Sequence, residues 1–368
     1  SPVRFLETQH RQMPVGEVKL SNEDLAQRLG VSCTAQTSRT MLLGTLALRE
    51  ELAMAGIGSE QLADVALVSG TTVADMDCAE RRFEAAQSCN LLGDCGRSTE
   101  EMVQHIGPFG FITTCSTACS SAANAFILGA NLLRSGRFKQ VIVGGTECLS
   151  RFHFNGFRSL MILDGEPCRP FDDTRAGLNL GEGAAFVVLE TAENAAQRGA
   201  EALAELSGWG NACDAFHQTA SSDDGIGAVL SMRQALQRAG LKPADIDYVN
   251  AHGTGTPNND ASESVALRSV FGEKVPPVSS TKSRTGHTTS ASGSIESVIC
   301  LLAMRQGFIP SNLNWQKPMA DGIVPVAQTL REQQLRHVLC NSFGFGGNDT
   351  SLVFSALSTN KQPSQTPT

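Results

Sequence analysis

The chain has 368 residues, of which 41% are hydrophobic and 18% charged, enough to bury one large core or two similar ones and too apolar for a disordered protein. A formal net charge of -8 without any Lys/Arg cluster excludes a protein that wraps nucleic acid. Eleven cysteines are scattered without a CxxC pair, which implies reduced thiols in a reducing compartment, the cytoplasm.

In chain order, Thr45 to Ala55 places Leu48, Leu52 and Ala55 on one helical stripe, and Gly56 stops the helix as a left-handed cap. Apolar, β-branched runs at Val65 to Val68, Gln140 to Val143, Ala185 to Leu189 and Ser351 to Phe354 predict buried strands. Strands alternating with helices imply an α/β fold with mainly parallel strands. The longest aliphatic run, Val298 to Met304, is far short of the ~20 residues that span a bilayer, and the N-terminal residues carry no basic-then-apolar signal, so no membrane association is expected.

An internal repeat organises these elements. Leu48 to Val65 (LREELAMAGIGSEQLADV) and Met232 to Val249 (MRQALQRAGLKPADIDYV) share one plan: helix, Ala-Gly stop, turn and strand. Leu132 to Phe138 and Leu302 to Phe308 form a second pair of helix ends, with Gly136 and Gly307 as stops. Two pairs in the same order indicate a duplication, with two similar α/β halves packed face to face and an active site between them. The expected division is 1–190 and 191–357, followed by a polar, Pro-bearing tail, 358–368, that is expected to be disordered.

The stretch TTCSTACSSAANA, Thr113 to Ala125, reads as the end of a strand, a tight turn and the start of a helix near Cys119 or Ser120. The positive end of a helix lowers a thiol pKa far more usefully than that of a hydroxyl, which favours Cys119 as a nucleophile. Ser120 and Ser121 suit capping, and Cys115 belongs to the strand. From this segment alone a small buried structural cysteine is an equally good reading. Partners for a thiolate stand in the second half: His252 in NAHGTGTP, at the end of a predicted strand, and Lys282 and His287 in STKSRTGH, in a loop entering a helix.

TACSS with Cys119, HGTGTP with His252, TKSRTGH with Lys282 and His287, and NSFGFGGN from Asn341 to Asn348 together resemble the β-ketoacyl-acyl carrier protein synthases. The resemblance runs from about Val18 to Phe354 in order and approximate spacing. It implies the duplicated α/β/α/β/α sandwich of the thiolase-like superfamily. It also implies a decarboxylative Claisen condensation: Cys119 takes an acyl group as a thioester, and malonyl-acyl carrier protein supplies the carbon nucleophile, without metal or organic cofactor. The backbone N–H groups of Cys119 and Phe345 would hold the oxyanion, with Gly344 and Gly346 allowing close approach of backbone to substrate and Phe345 gating the acyl pocket. His252 and His287 would donate N–H to the enolate oxygen, and Lys282 would pair with Glu263. Thr254 and Thr256 would hold the phosphopantetheine arm.

The partners implied are acyl carrier protein and a second copy of the chain docked through the first half, or a chain-length subunit in a heterodimer. Thiolases and initiating ketosynthases share the fold but replace one histidine, and chain-length subunits lose the cysteine; His252, His287 and Cys119 argue against both. Departures from the family pattern are Ser116 before the cysteine motif, Ala176 in place of an aspartate, Ser290 in place of a glycine, and the absence of an opening VVITG strand.

Overall fold

Runs of β-branched and small apolar residues become buried strands in the computed structural model, which describes residues 1–85 and 94–357. The tail from 358 onward lies outside the described residues. β1 (Val65–Gly70), β2 (Phe111–Cys115), β3 (Gln140–Glu147) and β4 (Gly183–Glu190) form the first sheet in the order β2-β1-β3-β4, parallel except for β4. The second half supplies β5 (Glu205–Cys213), β6 (Tyr248–Asn250) and β7 (Val278–Ser279), then a short ribbon of β8 (Phe308–Ile309) with β9 (Leu330–Arg331), then β10 (His337–Gly344) and β11 (Asn348–Ser355). Its sheet runs β5-β11-β10-β6-β7, with β10, β6 and β7 mutually parallel. Each predicted strand falls inside one of these, in β1, β3, β4 and β11 respectively.

The duplication is visible strand by strand: β7-β6-β10-β11 repeats the order β2-β1-β3-β4. No strand among the described residues stands in the first sheet where β5 stands in the second. The paired helix stops recur as left-handed glycines, with φ +65° at Gly56 and +67° at Gly240, +71° at Gly136 and +65° at Gly307. Only glycine adopts this geometry at no steric cost, which is why the repeat survives in sequence at these positions.

Five layers result. The Arg39–Ala55 helix packs outside the first sheet on β3 and β4, and the Ile226–Ala239 helix covers β5 and β11 outside the second. Between the sheets lie the Ser121–Arg134 and Ser292–Gln306 helices, which meet at small residues: a Cβ on Gly293 would stand 2.7 Å from the backbone nitrogen of Ala123. One apolar cluster runs through this layer, joining Ala123, Phe126 and Val143 of the first half to Tyr248, Cys300 and Val338 of the second. No helix among the described residues is long and apolar enough to cross a membrane.

Two buried carboxyls make the fold sensitive to pH. Burial, reinforced by Asp214 and Glu263, pushes Asp349 up to about 8, and burial likewise pushes Glu263 up to about 7. Both values lie above those of an unfolded chain, so the folded state holds the extra protons between the ordinary carboxyl range and about pH 8. This contribution to stability is complete below that range and is lost as pH rises through it. The melting temperature is therefore expected to fall by several degrees between about pH 5 and about pH 9, and Asp349→Asn should flatten that slope. An equally steep slope in the variant, measured by thermal unfolding across this range, would contradict the assignment.

Candidate active site

Cys119 stands between β2 and the Ser121–Arg134 helix, where the turn is forced by Ala118 in the left-handed region at φ +51°. A non-glycine residue held there is strained and persists only when its surroundings over-determine it. The surroundings do so. Thr117 N–H donates to Ser121 Oγ at 2.9 Å, and Ser121 Oγ donates to the Ala118 carbonyl at 2.6 Å. Gly70, at the end of β1, lies so close that a Cβ would sit 2.6 Å from Ala122 N. Ser120 occupies the N-cap without making a capping bond; its hydroxyl oxygen lies 2.7 Å from the Thr117 carbonyl oxygen and 2.8 Å from Asn348 Oδ1, which share its one proton. Asn348 Oδ1 also accepts from Asn124 and Asn211, tying the Phe345 turn to the base of the nucleophile helix.

The Gly344–Gly347 turn joins β10 to β11 and faces the cysteine from the other half. A Cβ on Gly344 would lie 2.8 Å from the Thr117 carbonyl oxygen, and Gly346 and Gly347 have φ +83° and +77°. These glycines are what let the strand end approach the cysteine turn. The backbone N–H of Phe345 points at Cys119 Sγ. Its ring stacks on Phe157, with centroids 5.5 Å apart and planes 20° apart.

Cys119, His252, Lys282 and His287 converge as buried side chains. His287 Nε2 is 3.1 Å from Cys119 Sγ, and its Nδ1 is 3.0 Å from Ser292 Oγ. His252 meets His287 edge to face with ring centroids 5.2 Å apart. Lys282 Nζ lies 3.3 Å from His252 Nδ1. Because an ammonium only donates, this contact makes Nδ1 the acceptor and leaves the ring proton on Nε2. Burial first, and the Lys282 charge second, hold both imidazoles well below the usual range, so both are neutral.

Two expectations are corrected here. Lys282 does not pair with Glu263; it pairs with Glu296, Nζ to Oε1 at 2.5 Å, both side chains almost fully buried. Glu263 instead accepts from the backbone N–H groups of His252 at 2.9 Å and Gly253 at 2.7 Å, and from Asn341 Nδ2 at 3.2 Å, so it holds the His252 loop in place. The second correction concerns the thiol. Complete burial outweighs the opposing pull of the Lys282 charge and the Phe345 N–H, and pushes Cys119 up to about 11. The resting residue is a thiol, and His287 Nε2 is the base within reach of its proton.

Thr254 and Thr256 lie in the loop after His252, their hydroxyls 2.9 Å apart, and Thr256 caps the Pro257–Phe271 helix. Three further residues of this region were not singled out from sequence. Glu296 is the lone carboxylate of the helix that follows His287. Glu147, fully buried at the end of β3, accepts from Thr71 Oγ1, Thr72 N–H and hydroxyl, and Ser290 Oγ. His153 places Nε2 3.3 Å from Thr72 Oγ1.

Comparison with known proteins places both halves. The N-terminal domain model of β-ketoacyl synthases matches residues 26–195 and the C-terminal domain model matches residues 203–316. Nodulation protein E of Rhizobium meliloti (strain 1021) is 33% identical over 341 residues, covering 87% of this chain and 83% of that protein. The mitochondrial 3-oxoacyl-[acyl-carrier-protein] synthase of Arabidopsis thaliana is 39% identical over 255 residues, 66% of this chain; the chain spans 55% of that protein's length. Among solved structures, the ishigamide ketosynthase/chain length factor superposes with a TM-score of 0.88 at 29% identity, covering 97% of this chain and 92% of the matched one.

Proposed function

The chain belongs to the β-ketoacyl synthase family, and from that premise we propose that it condenses an acyl group carried on Cys119 with malonyl-acyl carrier protein. The observation that carries this reading is the 3.1 Å contact of His287 Nε2 with Cys119 Sγ, beside a second neutral histidine whose tautomer Lys282 fixes. In the first half-reaction Sγ attacks the thioester carbonyl as its proton passes to His287 Nε2. The oxyanion rests on the backbone N–H groups of Cys119 and Phe345, and the carrier thiol leaves with the proton returned by His287.

In the second half-reaction the malonyl thioester loses CO2. The electron pair of the breaking C–C bond forms an enolate whose oxygen accepts from His252 Nε2–H and, once the neutral His287 ring has exchanged its proton from Nδ1 to Nε2, from His287 Nε2–H; the Ser292 hydroxyl at His287 Nδ1 accepts from the first tautomer and donates to the second. The enolate carbon then attacks the acyl carbonyl and Cys119 leaves. Thr254 and Thr256 would hold the phosphopantetheine arm; beyond that substrate-borne arm the chemistry needs no organic cofactor or metal. The ten described cysteines are all free, in keeping with a reducing, cytoplasmic setting. The assembly is a dimer, with itself or, in specialised polyketide or polyene synthesis, with a chain-length subunit; the extent of similarity to a ketosynthase/chain length factor structure favours keeping the second arrangement.

The test is incubation with acyl-acyl carrier protein and mass spectrometry of the cysteine-bearing peptide. An acyl adduct on Cys119, absent in Cys119→Ala, is expected; an adduct that persists in the variant would refute the proposal.

A further inference from the structure

The two backbone N–H groups assigned to the oxyanion belong to different halves of the chain, Cys119 to the first and Phe345 to the second, so the span between them depends on what joins the halves at this point. Glycine sets how near they come: a Cβ on Gly344 would lie 2.8 Å from the Thr117 carbonyl oxygen and 3.1 Å from Ser120 Oγ. A bare glycine contact fixes no register. A cluster of polar side chains beside it does.

Asn348 opens β11, opposite Gly344 of β10 and Cys213 of β5. Its Oδ1 accepts from Asn124 Nδ2 at 2.8 Å and from Asn211 Nδ2 at 3.0 Å, and lies 2.8 Å from Ser120 Oγ. Ser120 is the N-cap of the nucleophile helix, and Asn124 stands in its first turns. Asn124 Nδ2 also donates to Thr117 Oγ1 at 2.8 Å, while its Oδ1 accepts from Asn211 Nδ2 at 2.9 Å and from Thr350 Oγ1 at 3.2 Å. The cluster therefore grips the cysteine turn on both sides of Cys119, at Thr117 and Ser120, and grips the opposing turn where it enters β11. Polar networks with fixed donor directions specify one arrangement of a contact. A displacement of about 1 Å at a reacting group costs on the order of 10²-fold in rate.

We propose that Asn348 is a positioning residue for the oxyanion hole, its amide oxygen holding the Phe345 N–H in register with the Cys119 N–H across the two halves. Asn124 and Asn211 act through it. The inference deepens the proposed function and rests on it.

A misplaced donor weakens stabilisation of the oxyanion and leaves the thiol and the bound thioester as they were. The experiment compares two reactions of Cys119 in the purified protein, both read by mass spectrometry of the cysteine-bearing peptide. Acylation by acetyl-, hexanoyl- and decanoyl-pantetheine passes through an oxyanion; alkylation by iodoacetamide displaces iodide at a saturated carbon and forms none. Asn348→Leu is expected to lower the maximal acylation rate by about 10- to 100-fold with KM and the alkylation rate each within about twofold. Asn348→Asp, which keeps an acceptor oxygen, should recover most of the acylation rate. Asn211→Ala removes one donor at an exposed position and should lower the ratio of acylation to alkylation by about three- to tenfold, which keeps the test open if Asn348→Leu does not fold. A wild-type ratio in Asn211→Ala or in Asn348→Leu, an equal loss of both reactions included, would overturn the inference, as would an aspartate variant that acylates as slowly as the leucine one. Alkylation of wild-type Cys119 without acylation by any of the three thioesters would overturn the ketosynthase reading itself.

Discussion

His252→Ala is expected to lower malonyl decarboxylation by about 10²- to 10³-fold while leaving acyl transfer to Cys119 within a few fold, whereas His287→Ala should depress both half-reactions. The difference follows from geometry. His287 Nε2 touches the sulfur, and the sulfur, pushed up to about 11 by burial, enters the reaction as a thiol whose proton must go somewhere. A positioned base contributes about 10²- to 10⁴-fold to such a step. His252 touches His287 and Lys282 and makes no hydrogen bond to the cysteine. Its contribution is confined to the stage at which an oxyanion develops on the malonyl thioester. The check is separate assay of the two stages: acyl-enzyme formation by mass spectrometry, and CO2 release from malonyl carrier. Equal losses of both activities in His252→Ala would defeat this division, as would full-rate acylation in His287→Ala.

The convergence of Cys119, His252, Lys282 and His287 was legible in the sequence because these residues stand where packing alone would not place them. Cys119 stands among small residues at a strand-to-helix turn, and His252 and His287 stand in loops of glycine, serine and threonine at strand ends. The halves were legible because a left-handed cap is a local requirement: Gly56 and Gly240 mark the same helix end twice. The partner of Lys282 was not legible. Glu263 shares its helix with Asp260 and Glu296 is the lone carboxylate of its own, and which one meets the ammonium is decided by how the Ser292–Gln306 helix passes between the sheets. His153 escaped for a related reason. Its ring contacts come from Thr72, Phe152 and Phe157, and nothing in the string RFHFNGF distinguishes it from a histidine on a solvated helix. The thiol pKa was read from the helix terminus alone, a local feature, whereas complete desolvation is set by both halves closing on the turn.

Lys282→Met is expected to be the most destabilising single change at the site, and its cost should grow with pH. The ammonium and Glu296 are enclosed together, and Glu296 Oε2 has no hydrogen-bond partner among the described residues, so the carboxylate depends on Lys282. Removing one member of a buried pair strands the other charge, typically at about 3–5 kcal/mol. Glu296 escapes that cost by taking a proton. Burial already raises its pKa above 4.5, with Lys282 opposing, and loss of the lysine raises it further. The folded variant then holds one more proton than the unfolded chain from about pH 4.5 upward to the new folded value. Its stability is accordingly highest below that window and falls as pH rises through it. Replacing both partners by apolar residues, Lys282→Met with Glu296→Leu, should recover most of the loss, since well-packed apolar groups match or exceed a buried ion pair. Activity should not recover with it. Without the ammonium at His252 Nδ1 the ring is free to carry its proton on either nitrogen, and the Nε2–H donor for the enolate is no longer assured. Thermal unfolding of both variants between about pH 5 and about pH 8, with decarboxylation assayed in the double variant, separates the two roles of Lys282. A single variant that melts with wild type at the upper pH would refute the stabilising role of the pair, and a double variant that decarboxylates malonyl carrier at the wild-type rate would refute the role of Lys282 at His252.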